Sequence, residues 1–266
     1  MQPYLQEAQQ SQATDIFLLN GQVWYRVLGK LRPSNHSASI LEIPPLATSF
    51  EQKSPSHIRC LPNDLSFEAL NYPAEVAKIM DAERGLVLLS GPQNSGKTTL
   101  LLHWLSRLQN RSVDLTLDVP EAHANKILRS SDQADIKVMT IKDASDAMTA
   151  LRDSIHQVVI AVMDGRSNAD SLRFISLLLN DLPDETVREM LSEQVVSLVN
   201  VNLVRTIQNR LHPLLAITNS NESIGSQIAD GHFHKLEDSV QRGNGGYGSI
   251  SGDIQLAEWL QQRQIS

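Results

Sequence analysis

Gly91, Gly96, Lys97 and Thr98 fall in the order and spacing GxxxxGK followed by Ser or Thr, within the stretch GPQNSGKT. Two glycines at that spacing let the backbone curl so that successive N–H groups face one point. A helix starting near Lys97 adds its positive end, which favours a bound anion. In such a pattern the Lys97 ammonium reaches the β- and γ-phosphates and the Thr98 hydroxyl takes a place on Mg2+. Pro92, Gln93, Asn94 and Ser95 occupy the positions the pattern leaves open, and Thr99 follows. These nine residues are the expected nucleotide-binding set, with ATP and Mg2+ as ligands. A bare strand-to-helix turn would leave the Gly-Lys-Thr combination unexplained.

The loop needs a strand before it and a helix after it, and both are written in the chain. GLVLLS, from Gly85, is a short continuous apolar run, the signature of a strand buried on both faces. An amphipathic helix follows Lys97. Strand signals recur at VDLTLDV, DIKVMTI and QVVIAVM between segments of helical character, which argues for a wound, largely parallel sheet. LPDETVREMLSEQVVSLVNVNLVRTI reads as one long helix with an acidic first turn, and LHPLLAIT as a further strand. HFH, at His232 and His234, alternates as an exposed strand would. A short helix is expected at the start, then two strands around a turn at Asn20–Gly21. Ser, Pro, Asn and Glu dominate from Pro33 to about His57, the best linker candidate, so the domain boundary is expected there. QRGNGGYGSISGD is Gly-rich and precedes a final short helix.

Composition narrows the function classes. The 266 residues suffice for one large α/β domain and a smaller module, and 41% hydrophobic residues permit a substantial core. A net charge of −7 without a basic run argues against a nucleic-acid binder. Cys60 is the single cysteine, so no intrachain disulfide framework or CxxC metal knot exists. The polar opening MQPYLQEAQQSQATD lacks the apolar core of a signal peptide, and the apolar runs are too short for a bilayer span. A cytoplasmic location is expected.

The chain resembles the secretion-motor ATPases of type IV pili and type II secretion, closest to the pilus-retraction branch. ATDIFLLNGQVWYRVLGKLRP is similar to that family's ASD-I-H-L opening and its R-V-D-G strand. LSFEALNYPAEVAKIMDAERGLVLLSGPQNSGKTTLL resembles its RGLVLVTGPTGSGKTTTL strand and loop. LPDETVREMLSEQ is similar to its late helix, FP-x-E-x-x-x-V-R-x-x-L-S-E-S-L. AITNSNESIGSQIADGHFHKLEDSVQRGNGGYGSI resembles its AI-R-x-L-I-R-E-G-K segment and the Gly-rich loop beyond.

Departures from the family fall on the hydrolytic groups. The family's T-I-E-D-P-I-E strand end, whose Glu helps activate the attacking water, is matched by TLDVPEA, with Asp118 at the Glu and Val119 after it. Its second acidic strand, DPD-x-I-L-V-G-E-M-R-D, is matched to SIHQVVIAVMDGR, with Val162 at the Glu and Asp164 two residues later. The G-T-L-H-T histidine box finds no match, as if one strand and loop were absent. Asp118 is the candidate to align water, although its carboxylate is one methylene shorter than Glu. Asp164 is the candidate for the Mg2+ shell, with Glu121 and His123 as lesser candidates near the site. Loss of a general base costs about 10²–10⁴ in rate, and small displacements weaken a positioned reaction further.

The resemblance implies a RecA-like nucleotide-binding domain over 58–266, preceded by a truncated small α/β domain and linker over 1–57. It implies a hexameric ring, or a place beside paralogous motor subunits, and an inner-membrane platform protein as partner. The expected function is a cytoplasmic pilus or secretion motor ATPase with weakened hydrolysis, peripheral at the inner membrane through its partners. The alternative is a catalytically impaired regulatory or scaffold subunit of the same apparatus. A small-molecule kinase would need a lid with clustered arginines, and the arginines here are scattered.

Overall fold

The computed structural model describes residues 2–11, 13–27, 30–42, 50–60, 81–107, 111–116, 134–207 and 211–262. Two compact units are present, one on Met1–Leu65 with Gln208–Leu211 and the other on Ser66–Ile207 with His212–Ser266.

In the first unit α1 (Pro3–Gln10) precedes five strands: β1 (Asp15–Leu19), β2 (Gln22–Val27), β3 (Lys30–Ser37), β4 (Phe50–Ser54) and β5 (His57–Cys60). Their order is β3-β2-β1-β5-β4, and every pairing is antiparallel. Asn20 and Gly21 both take positive φ, 52° and 78°, as a two-residue hairpin turn between right-twisted strands requires. Tyr4, Leu5 and Ala8 of α1 pack with Ile16, Val23, Tyr25 and Ile58. The buried Asp15 carboxylate meets Arg26 at 3.3 Å, His57 at 3.0 Å and the Thr14 hydroxyl at 3.0 Å, so its charge is compensated.

The polar stretch expected as a linker is a correction. It carries β3 and β4, the two outer strands of this sheet. Outer strands have one unpaired side, so they accept exposed polar side chains and tolerate a proline such as Pro33. Composition therefore mimics a linker where, at β3 and β4, the backbone is in fact paired.

The second unit is built on β6 (Gly85–Gly91), β7 (Val113–Leu115), β8 (Ile136–Thr140), β9 (Val158–Asp164), β10 (Val195–Arg205) and β11 (Leu211–Asn219). The sheet order is β11-β10-β6-β9-β8-β7, with parallel pairing from β10 through β7. The helices are α2 (Lys97–Arg107), α3 (Ala144–Asp153), α4 (Asn168–Leu178), α5 (Asp184–Gln194), α6 (Glu222–Ala229), α7 (Leu236–Gln241) and α8 (Gly252–Gln261). Period-two alternation splits the sheet between two apolar layers. Val87, Leu89, Ile136, Val138, Val158, Ile160, Val199 and Val201 join Leu100, Trp104 and Leu105 of α2. Leu86, Leu88, Met139, Val159, Ala161, Met163 and Leu198 join α3, α4 and α5 on the other face.

The single long helix expected from Leu182 onward is a second correction. Helix α5 stops at Gln194 and β10 begins at Val195. Half of the residues in VVSLVNVNLV are valine, which loses rotamer freedom in a helix and suits a strand buried on both faces. HFH is likewise no strand: Phe233–Lys235 form one 3-10 turn that buries Phe233.

Candidate functional site

Every residue of β6 is buried, so the strand is fixed on both faces before the chain leaves the sheet at Gly91. The exit needs unusual backbone: Gly91, Asn94 and Gly96 have φ of 155°, 62° and 99°. Asn is among the few non-glycine residues that tolerate this region. A Cβ on Gly91 would also run into Ser95 and the Val201 carbonyl. The loop is anchored beyond Lys97 by α2, whose Leu100, Leu101, Leu102, Trp104 and Leu105 are buried. Between these anchors Pro92, Gln93 and Asn94 are exposed, while Ser95 is buried and its hydroxyl is unpartnered among the described residues. An unsatisfied hydroxyl inside a positively curved loop fits an anion cradle.

Lys97 opens α2 and folds back over the loop. Its Nζ donates to the carbonyls of Gly91 at 2.5 Å and Pro92 at 2.8 Å, and to Asp164 Oδ1 at 3.0 Å. Thr98 and Thr99 follow in the first helical turn, half-buried. Asp164 comes from the end of β9, beside β6, where it is in register with Gly91. The sequence-nominated Lys97 and Asp164 are therefore brought together, while Val162 packs against the α2 layer. Asp118, Glu121 and His123 lie outside the described residues.

Sequence reading missed a polar clamp behind the loop. Asn200, on β10, donates from Nδ2 to Ser90 Oγ at 2.8 Å and to the Gly165 carbonyl at 3.3 Å. Asn202 donates to Asn200 Oδ1 at 2.8 Å. Gly165 N–H in turn donates to the Gly91 carbonyl at 3.4 Å. The clamp thus ties the ends of β6 and β9 to the middle of β10. Its one sequence signal is the pair of asparagines two apart in an otherwise apolar run. On the same face, Arg166, Asn168, Asn200, Asn202, Phe233 and His234 help line a cavity of about 330 Å³.

A helix start, curled amides and one ammonium group suit a polyphosphate. No helix among the described residues is long and apolar enough to cross a membrane.

No family model matches the chain. A twitching motility protein of Neisseria gonorrhoeae is 24% identical over 169 residues, 53% of this chain and 45% of that protein. The match therefore spans less than half the length of that relative. Among solved structures, the ATPase DotB of Legionella pneumophila superposes with a TM-score of 0.74 at 15% identity, over 98% of this chain and 91% of DotB. The pilus retraction motor PilT with bound ADP superposes with a TM-score of 0.70 at 16% identity, over 99% of this chain and 93% of PilT. DotB of Yersinia pseudotuberculosis gives 0.73 at 13% identity, over 99% and 90%. With its parallel sheet and helical layers, the chain has the fold of the DotB and PilT ATPases and resembles the ATPases of type IV pili and secretion systems.

Proposed function

We propose that this protein is an ATP-binding relative of the pilus and secretion motor ATPases, with weakened hydrolysis. The observation that carries the reading is the Gly91–Lys97 loop: positive φ at Gly91, Asn94 and Gly96, set between a fully buried strand and the start of α2. The loop amides and Lys97 would hold the nucleotide phosphates, Thr98 and Asp164 would hold Mg2+, and Asp118 would align the attacking water. A RecA-like ring of six subunits, or a mixed ring with paralogues, and docking to an inner-membrane platform protein belong to the same reading.

The second reading, a regulatory or scaffold subunit that binds ATP without turning it over, is favoured by a specific contact. Asp164, a candidate Mg2+ ligand, is engaged with Lys97. Calorimetry with Mg-ATP and phosphate release, on wild type and Lys97→Ala, decides between these readings. Binding lost in Lys97→Ala supports the nucleotide site, and turnover above that variant's background supports the motor. No heat with wild-type protein would end both.

A further inference from the structure

Ile136–Asp143 reads I-K-V-M-T-I-K-D and falls on the family pattern I-L-V-G-E-M-R-D without a gap. Ile136, Val138 and Asp143 are identical to the pattern, and Lys142 stands for Arg. This register assigns the acidic strand to β8 and puts Thr140 on the Glu. The strand that follows, β9, then takes the histidine box: Ala161–Gly165, A-V-M-D-G, falls on G-T-L-H-T with Asp164 at the His. Helix α3 joins the two strands, so both motifs fall on strands among the described residues. Alternation supports the assignment. Thr140 follows Ile136 and Val138, and Asp164 follows Val158 and Ile160, all on the α2 face where Lys97 stands.

We propose that the negative charge of this site has moved from the β8 end, now Thr140, to Asp164 at the β9 end. There it serves as an internal counter-ion that occupies Lys97 until a nucleotide phosphate displaces it. This rests on the nucleotide-binding reading above.

The backbone around Asp164 is held independently of Lys97. Gly165 N–H reaches the Gly91 carbonyl, and Asn200 holds the Gly165 carbonyl. The turn is also tight, since a Cβ on Gly165 would press on Ser171 and Ser90. The carboxylate therefore stays within reach of the ammonium. The Lys97 side chain is 13% exposed and that of Asp164 67% exposed, so a displaced carboxylate swings into water while the ammonium stays at the loop. A half-solvated pair is modest in strength, so the competition is small and measurable.

The test is ADP affinity, measured by calorimetry for wild type and Asp164→Asn, each with magnesium and with EDTA, after thermal melts confirm equal folding. Removing the charge is expected to tighten ADP roughly two- to fivefold in both arms. Unchanged or weaker binding in EDTA overturns the counter-ion. A loss confined to the magnesium arm also overturns it and makes Asp164 a metal ligand. If wild type and variant alike fail to bind ADP, the nucleotide reading falls with it. Binding by wild type without tightening in the variant removes only this proposal.

Discussion

Gly91 and Val201 approach so closely that the first carbon of any side chain on Gly91 would meet the Val201 carbonyl. This contact explains why the phosphate loop needs glycine at its first position for space as well as for φ. Gly91→Ala is expected to cost about 1–3 kcal/mol in urea unfolding and to remove nucleotide binding measured by a fluorescent ADP analogue.

Asn94 has a φ of 62° where the family's loop carries glycine. Asn94→Gly is expected to keep nucleotide affinity within about twofold, since glycine takes this conformation freely. Asn94→Val forces a β-branched residue into the left-handed region, at about 1–2 kcal/mol. Urea midpoints of the two variants check the difference.

The motif register on β8 makes an asymmetric prediction about hydrolysis. Thr140→Glu restores an acid at the strand end and is expected to raise phosphate release at least about tenfold. Val162→Glu inserts a charge against the α2 layer and is expected to lower the melting temperature without raising turnover. Equal turnover in Thr140→Glu and wild type would count against the register.

Trp104 is fully buried and locks α2 to the sheet beside Val87 and Leu89. Trp104→Ala is expected to cost about 3–5 kcal/mol. A denaturant titration monitored by circular dichroism reads that loss directly.

The loop itself was legible because its residues satisfy a backbone requirement that few other sequences meet. The buried run of β6 was legible for a related reason: only a strand covered on both faces is so uniformly apolar. Other elements were not. The outer strands β3 and β4 carry polar residues and Pro33 because one edge of each is unpaired, so they read as linker. The start of β10 was hidden because it follows DETVREMLSEQ without a break in apolar spacing. The Asn200–Ser90 contact joins residues 110 apart, which no local pattern reveals. The meeting of Lys97 with Asp164 depends likewise on strand order. Asp118, Glu121 and His123 lie outside the described residues.

In the first unit, burial and then the nearby Asp15 carboxylate push the Cys60 thiol up from 9.0 to about 12. An unfolded chain ionises this thiol near 9 and the folded chain near 12. Between those values the unfolded state holds fewer protons, so stability falls as pH rises through that window and is fully present below it. Urea midpoints from pH 8 to 11 are expected to decline in wild type and to decline less in Cys60→Ala.

Because β10 sends Val199 and Val201 to one layer and Leu198, Asn200 and Asn202 to the other, its parity is fixed. A slip of β10 by one residue against β6 would turn both amides into aliphatic packing and leave Ser90 without its donor. The register of this strand is therefore guarded twice, by apolar burial on each face and by an amide that has a single place to donate.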